Sequence, residues 1–491
     1  MKLNIRYKLM MVLVAVLPAC NMNIEPSNLQ TTGNLLATSE GAQYATDGNY
    51  SALKDVLDFQ GQNDPRNFYE RHLYQMTAFP SDNLMLSGST TDNLYYCFTR
   101  AHFPQMKNSS YFWFVAYKVI LGTNLVIDNT PEGESTTRDQ LIGENYFLRA
   151  MAQFDLLRLF AQPYSHGTDN PGIILKTSLD DPAIQSRATV GESYQQVEKD
   201  LLKAADLMNE SRGIAYASKE AAWAFLSRLY LYMEQNDKAI EYAQKVIDSG
   251  KFSLATNANY IDNFHNTQNS SESIFIFKNV VLDDKAFAMI GSMYLTAEGL
   301  GWGEVYPSKT FRDLLNQHPE DVRNGLIVPD YEDDGKTIKL RNGYPKYFIT
   351  KFSYQDDIVT LNSPQYLRLS EVILNRAEAN AKLGKDQAAL DDVNMIRQRA
   401  GLSGTALYTT GNLGGRSVLD IVLEERRLEL AYEGHRMYDL FRNKRDMDRS
   451  YPGVHLPEGE TTQVIPWDDP RNIYYIPVLE LNINPDCKQN P

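Results

Sequence analysis

Apolar residues recur every three or four positions over long stretches of this chain, which commits most of it to helices packed by one face. In GENYFLRAMAQFDLLRLFA, residues 143–161, the positions Tyr146, Phe147, Ala150, Phe154, Leu157 and Phe160 form such a stripe, flanked by Arg149 and Arg158. Pro163 in the following AQPYS is expected to stop the helix. The pattern continues through GESYQQVEKDLLKAADLMNE, KEAAWAFLSRLYLYMEQ and, after a short NDK turn, AIEYAQKVIDSG. In the last pair the small residues Ala221, Ala224, Ala239 and Ala243 alternate with Trp223, Leu226, Tyr230, Ile240 and Val246, which lets two antiparallel helices approach closely. SEVILNRAEANAKLG and KDQAALDDVNMIRQRAGL repeat the plan, with Ala377 and Ala381 expected to face Ala388 and Ala389 across a turn at Gly384. The expectation is an all-α fold of tetratricopeptide-like helix pairs carrying long loop insertions and a few short strands, not a regular solenoid.

The insertion, about 251–362, is richer in Asn, Gly, Tyr and β-branched residues, with short strands predicted in SIFIFKNV and KYFITKF. A second irregular segment, about 60–110, contains QGQNDPRNFYE and PSDNLMLSGSTTDNLYYCF. Irregular segments on a rigid helical frame commonly carry function, so the site is sought in these two. Residues 41–491 read as one domain, with a helical half to about 250 and a loop-rich half from about 251.

The N-terminus sets a location. Lys2, Arg6 and Lys8 precede the apolar run Leu9 to Leu17, and LPAC then places Cys20 where an export signal ends. Residues 1–19 read as a cleaved signal peptide and Cys20 as an acylated first residue, although Pro18 departs from the usual small or aliphatic choice. Acyl chains, at roughly 0.8 kcal/mol per buried CH₂, hold such a protein to a lipid leaflet without a transmembrane helix. The polar, aperiodic stretch up to residue 40 reads as a linker. Beyond the signal no apolar run is expected to span a bilayer. The net charge of −14 repels phosphates and argues against nucleic acid. Only Cys97 and Cys487 remain beside Cys20, too few for a disulfide framework or a thiolate zinc site.

No HExxH, phosphate loop or GxSxG elbow occurs, and the seven histidines are scattered. Adjacent acids at Asp283-Asp284, Asp333-Asp334, Asp356-Asp357 and Asp468-Asp469 suit turns better than a hydrolase pair. DYEDDG spaces Asp330, Glu332 and Asp334 as a calcium loop would, but Arg341 stands where the closing glutamate is needed, so a hairpin turn is expected and no metal or cofactor. Thirty tyrosines point elsewhere, to flat apolar faces with polar tips that stack on sugars. GSMYLTAEGLGWGEVYPSK offers Trp302 for stacking, with Tyr294, Glu304 and Tyr306 beside it and Gly299, Gly301 and Gly303 leaving the backbone flexible. TTDNLYYCF adds Asp92, Asn93, Tyr95 and Tyr96 in a polar loop, where strand-like alternation would turn one tyrosine in and leave at most one to stack; Asn67, Tyr69 and Arg71 follow from the first loop. Trp113 and Trp223 lie in helical patterns and read as core, and Trp467 as a packing residue.

Taken in order, the acylated start, GENYFLRAMAQFDLLRLFAQPYS, WAFLSRLYLYM with EYAQKVIDSGKF, YLRLSEVILNRAEANAKLG with NMIRQRAGL, EERRLELAYEGHRMYDLFR and the terminal IPVLELNINPDCKQNP resemble the SusD/RagB family. These are outer-membrane nutrient-binding lipoproteins of the Bacteroidetes. The resemblance implies a non-enzymatic, surface-exposed protein that captures oligosaccharides, or in some members peptides, and passes them to a SusC-like TonB-dependent transporter. A helical-repeat adaptor that binds only protein is the rival from another class. The charged block from Glu424, Glu425, Arg426, Arg427 and Glu429 to Arg436 is read as scaffold, with intrahelical pairs on a solvated face and Leu423, Leu430 and Tyr438 beneath.

Overall fold

The computed structural model describes Leu36 and residues 38–491; Cys20, the apolar leader and nearly all of the linker lie outside the described residues. The order of helices is α1 Ser39–Ser51, α2 Tyr69–Ala78, α3 Leu94–Thr99, α4 Lys107–Asn129, α5 Thr136–Phe160, α6 Val190–Leu207, α7 Lys219–Tyr232 and α8 Asn236–Asp248. After the insertion come α9 Leu369–Lys382, α10 Asp386–Arg399, α11 Val418–Glu429 and α12 Arg436–Arg442. From α4 to α11 each helix packs on its predecessor, and α8 packs on α9 across the insertion. The sequence is interrupted there but the stack is not. Arg228 of α7 donates to both oxygens of Glu371 on α9 at 2.6 Å, and Arg376 of α9 reaches Gln244 of α8 at 2.6 Å.

Local chemistry accounts for the boundaries. Ser135, Ser218 and Ser417 cap α5, α7 and α11 through their hydroxyls, and Thr189 with Glu192 forms a reciprocal capping box at α6. Helix α5 ends at Phe160, three residues short of Pro163. Ala221, Ala224, Ala239 and Ala243 are fully buried at the α7–α8 seam, as are Ala377 and Ala389 in the second pair. Ala388 is exposed, so only Ala389 serves that seam. Trp113 is buried and donates its Nε1 to Glu480 at 3.1 Å, whereas Trp223 is half-buried and Trp467 packs edge-on against His166. Contrary to the sequence expectation, α4 is long and apolar enough to cross a membrane, with a mean hydropathy of 1.3 over its best window. It lies against α1, α2 and α5 with Val115, Val119 and Ile120 fully buried, so its apolarity serves the core.

The insertion is closed at its base by β2, Ser273–Ile276, pairing antiparallel with β8, Gln365–Arg368, so α8 leads out and α9 leads back beside one another. Further out, β3 (Val305–Pro307) pairs with β1 (Leu84–Leu86), β4 (Ile327–Pro329) with β7 (Tyr347–Ile349), and β5 (Leu340–Arg341) with β6 (Tyr344–Pro345), all antiparallel. The two strands expected here are present, each shorter than its apolar run. DYEDDG forms the expected turn: Gly335 takes a positive φ of 64°, and the Asp334 carboxylate accepts from the Lys336 and Thr337 amides at 2.8 Å.

The charged block is scaffold, but not a solvated face. Glu425, Arg426, Glu429 and Arg442 are all buried, and apart from Asp439 within the block their partners come from elsewhere in the chain. Arg368 bonds Glu429 at 2.7 Å and Glu433 at 2.8 Å; Arg323 bonds Asp321 and Glu425 at 2.6 Å; Arg397 reaches Glu425 at 2.9 Å. Arg442 bonds Glu378 at 2.5 Å and Asp439 at 2.7 Å, while Arg426 bonds Asp439 at 2.8 Å. Burial alone would raise the Glu429 carboxyl, but Arg399, Arg368 and Arg323 together hold it well below the usual carboxylate range. Gly434 makes the turn into α12 with a φ of 78°, and a Cβ there would meet the Thr77 hydroxyl at 2.2 Å.

Candidate functional site

The two irregular segments singled out in the sequence are joined by the β1–β3 ladder. Beyond its end, the Ser87 amide and hydroxyl both donate to the Glu304 carbonyl at 3.1 Å, and Asn342 donates to the Ser87 carbonyl at 3.0 Å. The 60–110 loops, the Trp302 segment and the tip of the β5–β6 hairpin therefore form one surface.

Trp302 stands on a locked turn. Ala297 and Leu300 exchange backbone hydrogen bonds, the Trp302 and Gly303 amides both donate to Ser292, and Glu304 donates to Met293. Gly301 has a φ of 83° and packs so closely that a Cβ would lie 2.1 Å from the Leu295 carbonyl oxygen; at Gly303 a Cβ would crowd Phe348 and Thr296. The glycines give close backbone approach, not the flexibility expected. The result is an indole that is 51% exposed, set against Phe287 at 4.8 Å between ring centroids, with its Nε1 donating to the Phe287 carbonyl at 3.1 Å. Arg341 fixes the turn from outside, donating to the Trp302 and Gly303 carbonyls at 3.2 and 3.3 Å and to the Glu304 carboxylate at 2.8 Å. Arg341→Ala is expected to weaken ligand binding at Trp302 about fivefold and to raise indole mobility in fluorescence anisotropy, because charge-assisted contacts hold the turn. Arg341→Lys is not expected to rescue it, since an ammonium lacks the planar fork. Unchanged anisotropy in Arg341→Ala contradicts this role.

The other sequence candidates separate into those with a free surface and those without. Tyr294 and Tyr306 are fully buried, Tyr294 stacked on Phe352 in the short helix Gly291–Tyr294 and Tyr306 inside β3 against Phe348, so neither ring is available to a ligand. Tyr69 is also buried, its hydroxyl donating to Asp155 at 2.7 Å. Arg71, 2% exposed, is spent on Asp92 at 3.0 Å and Gln75 at 3.2 Å. Asp92 in turn accepts from the Leu94 amide at 3.0 Å just before α3, and Asn67 pairs with His72. For Tyr294, Tyr306, Tyr69 and Arg71 these are corrections: a side chain satisfied inside the fold has nothing left to offer a ligand, whereas Asp92 and Asn67 stay partly exposed. Tyr95 and Tyr96 lie in a helix and not a strand, both half-buried, with Tyr96 edge-on to the partly exposed Phe103 at 5.1 Å. Asn93 is half-buried beside them. Glu304 remains at the rim through its pair with Arg341.

Phe287, Arg341 and Asn342 were missed. Phe287 sits in an unpatterned segment, and the turn expected at DYEDDG is not the Asn342-Gly343 turn that brings Arg341 and Asn342 here.

The loop carrying Phe287 is rooted on a buried carboxyl. Glu70 of α2 accepts from Asn279 at 2.8 Å through one oxygen, and Asn279 also donates to the Asn362 carbonyl at 2.9 Å. Burial pushes the Glu70 carboxyl up to about 8, only partly opposed by Asn279, Lys285 and Lys54. A carboxyl protonated in the fold but ionised in the unfolded chain contributes stability that is present below its ordinary pKa of 4.5 and lost as pH rises toward 8. Glu70→Gln is therefore expected to melt higher than the parent at pH 8 and alike at pH 4. A gap independent of pH contradicts the assignment.

Among the described residues no group of three His, Cys, Asp or Glu side chains is placed to hold a metal ion, and Cys97 and Cys487 are free buried thiols. What this surface provides is a flat aromatic face with amides and charged groups at its rim.

A model of the SusD family matches residues 216–491, and a second, described as starch-binding associating with outer membrane, matches residues 52–231. Among curated proteins, SusD-like protein P38 of Formosa agariphila is 24% identical, covering 90% of this chain and 91% of its own length. A crystal structure of a SusD superfamily protein from Bacteroides thetaiotaomicron aligns with a TM-score of 0.80 at 27% identity, covering 92% of this chain and 100% of that one. A SusD-like carbohydrate binding protein from Bacteroides vulgatus aligns with a TM-score of 0.77 at 21% identity, covering 92% of this chain and 97% of its own, a likeness of fold.

Proposed function

Since the chain belongs to the SusD family, we propose that it is a surface lipoprotein, anchored through acylated Cys20, that binds oligosaccharides at Trp302 and delivers them uncut to a SusC-like TonB-dependent transporter in the outer membrane. The observation that carries this reading is the indole itself. A tryptophan half open to solvent, backed by a second ring and clamped by Arg341, is costly to leave wet and well suited to the C–H face of a pyranose. The matched description of a starch-binding family supports the ligand class. Hydroxyls around the ring meet Glu304 and Arg341. The face is open and the ring pre-set, so binding is shallow and its specificity comes from the rim.

A peptide ligand is the second reading, favoured by one observation. Val280, Val281 and Leu282 precede Phe287 in the same loop, and Leu282 is 95% exposed, a surface that suits aliphatic side chains. Affinity electrophoresis through gels of neutral polysaccharides, with a reducing-end assay on the same samples, separates the readings. Retardation without new reducing ends supports glycan capture. Binding only to peptide pools, or release of sugar ends, overturns it.

A further inference from the structure

Resting on that glycan reading, the charge around Trp302 narrows the ligand class. The loop of Phe287 and the neighbouring loop 354–361 share a small core of Phe68, Ala288, Met289 and Leu361, with Ile358 packed against it. They are also tied directly, Thr360 donating to Asp284 at 3.2 Å and Gln355 to the Asn279 carbonyl at 2.8 Å. The Trp302 turn joins the same surface through Phe287. Some charges here cancel: Lys54 pairs with Asp283 at 2.6 Å and Arg341 with Glu304 at 2.8 Å. The carboxylates of Asp284, Glu298, Asp356 and Asp357 have no cationic partner among the described residues, and the last three are exposed. Against these four stand Lys278, which is exposed, and Lys285, which donates to the Asp283 carbonyl at 3.0 Å.

We infer that the Trp302 surface selects its ligand by charge, accepting uncharged saccharides and excluding polyanionic glycans such as sulfated or uronate-rich chains. The carboxylates accept hydrogen bonds from neutral hydroxyls, which a sulfate or carboxylate on the sugar cannot supply. An anionic chain laid on the indole also sets its charges against these like charges, a repulsion that salt screens over a Debye length of about 8 Å at physiological strength. The negative field of the whole chain acts in the same sense.

The test uses the soluble mature chain and one backbone in two forms. Gels of dextran, laminarin, starch and hydroxyethyl-cellulose identify a retained neutral polymer, and the chemically sulfated form of that polymer is then compared by titration. The neutral form is expected to bind about fivefold tighter or more at low ionic strength, the gap closing as salt screens the carboxylates. In a Glu298→Gln, Asp356→Asn, Asp357→Asn variant the ratio of the two affinities is expected to fall most of the way to one, the sulfated form binding tighter than it does to the parent. Equal or tighter binding of the sulfated form, or discrimination untouched in the triple variant, overturns the inference while leaving glycan capture standing. Failure of every neutral polymer to bind overturns both.

Discussion

Trp302→Ala is expected to lose roughly 2 kcal/mol of glycan binding, about a thirtyfold rise in Kd, as truncation of a central aromatic anchor does. The fold should hardly notice. Only the Nε1 contact to the Phe287 carbonyl and one ring contact disappear from a half-exposed position, so stability should fall by no more than about 1 kcal/mol. That contrast makes the experiment informative: a binding loss at unchanged melting temperature localises the ligand. Trp302→Phe should recover part of the affinity, because a smaller ring keeps a stacking face. If Trp302→Ala binds every tested glycan as the parent does, the ligand lies elsewhere.

Glu429→Gln should produce the largest loss of stability, roughly 3–5 kcal/mol, because it removes the carboxylate that Arg368 and Arg399 share and leaves Glu272 and Glu433 alone to balance two buried guanidiniums. Arg368 bonds this carboxylate at 2.7 Å and Arg399 lies within 2.6 Å of it; both guanidiniums are buried, and neither can shed its proton. The pH dependence follows from the sign of the shift. A carboxyl held below its ordinary value contributes fully above pH 4.5 and is lost as pH falls through the folded value, so the parent should weaken steeply in acid. The variant, having no proton to take up there, should show a shallower acid limb. Urea unfolding at pH 7 and pH 4 measures both, and a loss under 1 kcal/mol at pH 7 shows that the network is not what holds α11 against β8.

The amphipathic helices were legible because each carries its own period of 3.6 residues: α6 and α8 can be located from their stripes without knowing what they touch, whereas α5 is buried on nearly every face. The closure of the stack across the insertion was not, since Arg228–Glu371 and Arg376–Gln244 join residues far apart in the chain. The charged block shows the same limit more sharply. Alternating Glu and Arg on a helix is compatible with water on one side or with buried counter-ions, and only the arrival of Arg323, Arg368 and Arg399 from other segments decides for burial.

At the site, the glycine spacing around Trp302 correctly marked an exposed ring, but sequence neighbours proved poor guides to shared exposure. Tyr294 and Tyr306 flank it in the chain and are buried, because one ends a short helix packed on Phe352 and the other lies in a strand covered on both faces. Phe287 and Arg341, which set the indole's pose, come from an irregular segment and a two-residue strand, both too short to carry a period.

The most direct measurement is a crystal structure of the mature protein with a neutral oligosaccharide that it retains in gels. The account predicts a pyranose ring lying flat on the open face of Trp302, its hydroxyls turned to the rim and its glycosidic bonds intact. A sugar bound at another surface with the indole bare, or a cleaved product, would contradict it.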